Sequence, residues 1–325
     1  MIDIKKITDQ RHLILDTAIS LAIVAVVFYF IGVDAIVREF SHLNYLYLLV
    51  SAGFLVLMYV GMTARLHLVL SELGVKLRFR DIFKVHVMGM LLADFTPARA
   101  GYFAVAYGLT KKYKVPEEKS MIAVLGPQIY DFMLKVVVGT AGLFYLLNTY
   151  LKISHSEILF LGALVMAGMI AVMVLLLFSK RFLAFFSFTR RIAFADKVLS
   201  IFEKAQQNSK VILHHFPSLF FLLMFTWSMK AISWFFVAKA LGITLFVDFP
   251  EVFAYFFLQP LLTLLEFIPS PTLAGLGLSE GGGVLIFSLF GIGAAKAASF
   301  VFLARVKTII VNLPAVKEAV EVLKS

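Results

Sequence analysis

The chemistry this chain could carry lies in a few charged side chains set inside apolar runs. Arg99 stands two residues after Pro97, Glu280 follows Gly275 and Gly277, and Arg305 and Lys307 lie within the last apolar run. Asp94 and Glu266 each stand three residues before a proline, Pro97 and Pro269. A charge at the centre of a bilayer costs about 2.5 to 3.5 kcal/mol even on the mild insertion scale, so each of these groups needs a partner or water. Arg99 has a second reading, in which its side chain snorkels to the interface. For Arg305 that reading is weaker, because eight uncharged residues precede it and nine follow Lys307. Asp131 and Lys135 are four apart on one helical face, where they either neutralise each other or serve the site. Lys230, between Trp227 and Trp234, reads as a packing or cavity lysine.

Enzyme motifs do not account for these residues. Gly277-Leu278-Ser279-Glu280-Gly281 has the letters of a nucleophile elbow, but that motif needs a strand-turn-helix and a histidine partner. All seven histidines precede Ser279, and His214 and His215 are adjacent, the wrong spacing for one helical face. Glu117-Glu118 has no nearby histidine ligands, and no Lys-Ser or Lys-Thr follows the glycines from Gly275 to Gly283. With no cysteine there is no thiolate chemistry and no cysteine metal site. The expectation is therefore a protein that is not an enzyme, with no catalytic residues, metal or cofactor.

The elements that must position these charges are membrane helices. Of 325 residues 61% are hydrophobic and only 15% charged, and the mean hydropathy is +0.93, which excludes an ordinary water-soluble domain. Leu43 to Ala64 and Ile158 to Ser179, 22 residues each, contain no Asp, Glu, Lys or Arg, and about 20 apolar residues suffice to span a bilayer. The net charge of +10 sits mostly in loops and marks topology and anionic headgroups rather than nucleic acid. The run from Leu13 to Val33 follows Lys5, Lys6 and Arg11 but lacks a small-x-small cleavage signature, so it reads as a retained span.

Lys and Arg number three before the first span, one in 34–44, five in 65–84, four in 111–119, one in 148–157, seven in 180–215 and none in 242–251. Basic loops belong on the cytoplasmic side. The alternation gives six full spans, at 13–33, 43–64, 120–147, 157–179, 216–241 and 292–313, with both termini cytoplasmic in a multi-pass cell-membrane protein. Two apolar stretches remain, 82–110 and 252–290, each broken by Pro and Gly. Parity makes the first a hairpin entering from the cytoplasmic side and the second one entering from outside, whether their limbs cross fully or turn back. Asp94-Phe95-Thr96-Pro97 matches Glu266-Phe267-Ile268-Pro269. Either these are two unrelated proline kinks, or the chain is an inverted repeat whose broken helices frame a polar site near the midplane. The expected fold is all-α, six full spans plus two oppositely oriented broken-helix hairpins. The N-terminal half is 1–180 and the C-terminal half 216–325. Between them 181–215 forms a basic amphipathic connector, with Ile192, Ala195, Leu199 and Phe202 on one stripe.

Three further runs carry a family likeness: Thr96-Pro97-Ala98-Arg99-Ala100-Gly101, Pro269-Ser270-Pro271 with Gly275-Leu276-Gly277-Leu278-Ser279-Glu280, and Arg305 followed by Asn312-Leu313-Pro314. Over nearly its whole length the chain resembles the lysylphosphatidylglycerol synthetase/flippase transmembrane family. In that family's pattern Ala98 stands for a Gly, Tyr102 for a Glu, Ala274 for a Gly, and Gln128 for the Arg three residues before Asp131. The chain ends near its last span without the family's soluble synthetase module, so lipid aminoacylation is not expected. The resemblance implies a flippase or scramblase-like carrier moving a phosphate-headgroup lipid between leaflets by alternating access. In it Arg99 and Arg305 engage the headgroup bidentately, and Gly101, Gly275 and Gly277 let backbone amides approach the anion. Asp94, Glu266, Glu280, Asp131 and Gln128 balance or couple the charge. The alternative is a membrane enzyme or accessory subunit acting on a polyprenyl phosphate or another lipid. The expected partner is a membrane lipid, anionic or phosphate-bearing, and not nucleic acid, with a homo-oligomer left open.

Overall fold

The structure is a computed structural model that describes residues 33–149, 179–187, 214–265 and 278–324 continuously, with isolated positions between. Nearly all of the expected spans 13–33 and 157–179, most of the connector 181–215, and Glu266, Gly275 and Gly277 lie outside the described residues. Among the described residues all regular secondary structure is helical. In chain order the helices are α1 (Val33–Ser41), α2 (Tyr45–Glu72), α3 (Phe79–Asp94), α4 (Ala104–Tyr113), α5 (Glu117–Thr149), α6 (Lys180–Phe185), α7 (Phe216–Ala240), α8 (Glu251–Leu265), α9 (Leu278–Leu289), α10 (Ala294–Asn312) and α11 (Val316–Lys324). Short 3-10 segments, Pro97–Phe103 and Leu313–Ala315, join α3 to α4 and α10 to α11.

Among the described residues four helical segments are long and apolar enough to cross a membrane: Tyr45–Glu72, Glu117–Leu146, Phe216–Ala240 and Ala294–Val322. These correspond to four of the six expected spans, and two boundaries need correction. The region 34–44, read as a loop, contains helix α1. Helix α2 does not stop at Ala64: it is capped by Asn44, whose side chain accepts from Leu46 and Tyr47 N–H, and runs through Arg65 and His67 to Glu72. Arg65 is 3% exposed; a charge placed in a loop by counting lies in the protein interior.

The antiparallel pair α2 and α7 forms the backbone of the bundle. Asn44 N–H donates to Ala240 O at 3.0 Å at one end, Ser51 meets Ser233 further along, and Gly61 sits against Phe225 and Thr226, where a Cβ would have no room. Small residues at such a contact let helices approach without help from the hydrophobic effect, which lipid does not supply. One apolar core gathers α2, α3, α4, the start of α5 and α11, and a second gathers the end of α7 with α8, α9 and α10.

The bundle has two distinct ends. At one, Lys119 Nζ donates to Leu73 O at 2.6 Å, His215 meets Glu72 at 3.1 Å, and Lys112 Nζ reaches Glu318 and Glu321, each at 2.8 Å. At the other, Lys239 pairs with Glu251 at 2.5 Å and the Tyr145 and Phe249 rings lie 5.4 Å apart. The outer ends of α3 and α4 fall at the first, lysine-rich end. Those of α8 and α9 fall at the second, where the Phe290–Gly293 turn, with Gly291 at φ +75°, sends the chain into α10. Hairpin limbs therefore enter from opposite ends, the first running from Phe79 to Tyr113 rather than from 82 to 110.

Candidate functional site

The tip of the first hairpin is built by its sequence. Proline disfavours helical backbone in the residue before it, and Thr96 is accordingly extended, at φ −128° and ψ 143°, so α3 ends at Asp94. Thr96 then closes the turn twice over. Its hydroxyl donates to Leu92 O at 3.0 Å and accepts the Gly101 N–H at 2.6 Å. Gly101 lies directly on the Leu92–Ala93 backbone, in a space that a Cβ would occupy. Its amide serves Thr96 and its missing side chain lets the two arms touch, a packing role in place of the expected approach to an anion. Arg99 adopts φ +55°, a left-handed conformation that a side chain resists by about 1 to 2 kcal/mol.

Asp94 fastens this tip to the last long helix. It accepts from Arg99 Nη2 at 3.2 Å and from Asn312 Nδ2, at the end of α10, at 2.9 Å. Between the tip, α2, α7 and α10 lies a cavity whose polar lining includes Tyr59, Asp94, Arg99, Lys230, Arg305 and Lys307. Apolar walls come from Leu55, Trp234, Leu262 and Phe300. Three of the expected site residues, Asp94, Arg99 and Arg305, are thus brought together, although Arg99 and Arg305 are 206 positions apart in the chain. Lys230 stands over the Trp234 ring, 5.2 Å from its centroid, the aromatic environment read for it. Lys307, 5% exposed, donates to Ser51 Oγ at 2.9 Å and to Ser233 Oγ at 2.5 Å.

Other expected site residues stand elsewhere. Asp131 is 2.7 Å from Lys135 and accepts from Trp227 Nε1 at 2.8 Å, so the i, i+4 pair neutralises itself and is tied to α7. Gln128 lies near Tyr102 of the first hairpin. Neither Asp131 nor Gln128 lines the cavity. Glu280 lies in the first turn of α9, and its side chain is outside the described residues, as are Glu266, Gly275 and Gly277 altogether. Sequence reasoning passed over Ser51, Ser233 and Tyr59, and named Asn312 only as part of a family motif; these are uncharged residues whose roles come from long-range contacts. It also passed over His86, fully buried, whose Nδ1 lies 3.2 Å from Thr63 Oγ1. Among the described residues no cluster of three or more His, Cys, Asp or Glu forms a metal site.

The arrangement can hold an anion: guanidinium and ammonium groups converge on a partly enclosed space beside one carboxylate, at a depth set by helices long enough to span a bilayer. Comparison with known proteins agrees with a membrane context. The chain is 25% identical over 177 residues to the UPF0104 membrane protein MJ1595 of Methanocaldococcus jannaschii, a match covering 54% of this chain and 51% of that protein. It thus aligns with about half the length of that curated relative. The family described as the lysylphosphatidylglycerol synthase TM region matches residues 13–315. With nearly its whole length inside that match, the chain belongs to the lysylphosphatidylglycerol synthase transmembrane-region family.

Proposed function

We propose that this protein is a carrier that moves a phosphate-bearing lipid between bilayer leaflets. The observation that carries the reading is the cavity itself: Arg99, Lys230, Arg305 and Lys307 converge there with Asp94, within a family of lipid-related membrane proteins. In this reading Arg99 and Arg305 grip the phosphate through their planar donor forks, and Asp94 holds Arg99 when no lipid is present. Glu266 and Glu280 keep the balancing role, and Gly275 and Gly277 the anion-approach role, that the family resemblance implies for them. Limbs entering from opposite ends support an inverted repeat that opens the site to either leaflet in turn. The lysine-rich end then faces the cytoplasm of a cell-membrane protein. No covalent bond of the lipid changes, so the protein acts as a transporter and not as an enzyme.

Lipid retained through purification tests this. Native mass spectrometry of the detergent-extracted protein should show adducts of phosphate-bearing lipid mass. An Arg99→Gln, Arg305→Gln double variant of normal thermal stability should lose most of that signal, since each charge-assisted contact contributes about 1.5 to 3 kcal/mol. Equal retention by both proteins would place the bound lipid outside the cavity and count against the reading.

A further inference from the structure

Lys307 has partners of an unusual kind for a buried lysine. Its nitrogen touches two serine hydroxyls, Ser51 Oγ and Ser233 Oγ, and no carboxylate among the described residues. The hydroxyl hydrogens are already committed. Ser51 Oγ–H donates to Ser233 O at 2.7 Å and Ser233 Oγ–H to Ser51 O at 2.8 Å, a reciprocal exchange across the α2–α7 contact. Both oxygens therefore offer only lone pairs to Lys307. An ammonium has three N–H donors, whereas a neutral amine has two and a lone pair. The site satisfies two donors, and Lys307 borders the cavity with what remains. Burying a charge on uncharged partners alone is costly, and the serine pair meets both N–H donors of the neutral amine but leaves the ammonium's third donor and its charge without a partner there.

We propose that Lys307 is the proton-exchanging group of this cavity, uncharged while the cavity is empty and protonated once an anionic headgroup occupies it. The inference rests on the carrier reading above and adds what drives it. On binding, the amine takes one proton from water and becomes an ammonium that faces the phosphate oxygen; no bond in the lipid forms or breaks. On release the proton returns to water. Taking up one proton with one anionic headgroup leaves the net charge of the cavity the same in the empty and the loaded protein. The other ionisable groups facing this space are Tyr59 from α2, Asp94 and Arg99 from the first hairpin, Lys230 from α7 and Arg305 from α10. Asp94 is held by Arg99 and Asn312. On α9 the ionisable residue is Glu280.

The test is calorimetric titration of the full chain in neutral detergent micelles with phosphatidylglycerol, a phosphodiester that does not itself titrate near neutral pH. Heats measured in buffers of different ionisation enthalpy count the protons linked to binding. The wild type should take up close to one proton, and over the window where it does so the affinity should fall about tenfold per unit rise in pH. The sign follows because the protonated form is the one that holds the anion. Lys307→Arg, permanently charged, should bind with no linked proton and no such pH dependence. Asp94→Asn and Glu280→Gln should each keep the proton uptake. Binding by the wild type with no linked proton overturns the inference and leaves the carrier reading standing. Uptake that survives in Lys307→Arg but vanishes in a carboxylate variant assigns the proton elsewhere and also overturns it. Should Lys307→Arg fail to fold, a flat affinity–pH profile in the wild type alone overturns it equally. Absence of binding at every pH from about 6 to 9 removes the carrier reading and this inference together.

Discussion

Arg305→Gln is expected to reduce lipid movement between leaflets of proteoliposomes by about tenfold to a hundredfold, the worth of one charge-assisted contact of about 1.5 to 3 kcal/mol. Arg305 lies in α10 with no charged residue for eight positions before it and lines the cavity opposite the hairpin tip. Two roles would place an arginine there. If it only neutralises Glu280, removing it strands that carboxylate, and adding Glu280→Gln restores both folding and transport. If it grips a headgroup, the Arg305→Gln, Glu280→Gln variant folds yet stays inactive. Lysine at position 305 separates charge from shape, because it keeps the cation but loses the planar fork. The expected outcome is a folded, inactive double variant and a weakly active lysine variant. Full recovery in the double variant would make Arg305 structural.

The largest loss of stability is expected from Gly101→Ala. The added Cβ falls on the backbone of Leu92 and Ala93, which cannot rotate away as a side chain could, so the arms of the hairpin must part. Overpacking of this kind costs about 1 to 3 kcal/mol or more. The Gly101 N–H would also leave Thr96 Oγ1, and Arg99 would lose the turn that presents it. Thermal unfolding in detergent should show a clear drop for Gly101→Ala. Gly53→Ala, at an exposed site on α2 with nothing near its Cβ, should be neutral or slightly stabilising because alanine favours helix. Equal behaviour of the two variants would contradict the close packing of the hairpin.

How much of this was legible depends on distance along the chain. The run of uncharged residues from Leu43 to Ala64 announces α2, and Pro97 between basic flanks announces the first hairpin; both signals are local, and both survive in the structure. Arg65 shows where local reading fails. Counting charges assigns it to a basic loop, but helix α2 continues past it and it is buried, with its Nε and Nη1 left without hydrogen-bond partners among the described residues. Lys307 was legible as a buried charge, yet its partners were not: Ser51 and Ser233 are 256 and 74 positions away, and no local pattern marks a serine that will be brought to a lysine. Asp131 is a different case. Its spacing from Lys135 was read with two outcomes open, and Trp227, 96 positions on, fixes it in the structural pairing, away from the cavity. Arg99 and Arg305 were legible without the family likeness, because a charge inside an apolar run stands out locally.

Transport itself is measured by placing a headgroup-labelled fluorescent anionic phospholipid on both leaflets of liposomes containing the purified protein and adding an external quencher. Slow, spontaneous exchange leaves the inner-leaflet fraction protected. With the wild-type protein that fraction should be quenched faster than in protein-free liposomes, and faster for phosphate-bearing lipids than for a neutral one of the same chain length. Rates equal to those of protein-free liposomes across a panel of headgroups that includes polyprenyl phosphates, from protein shown to be folded, would contradict the carrier account.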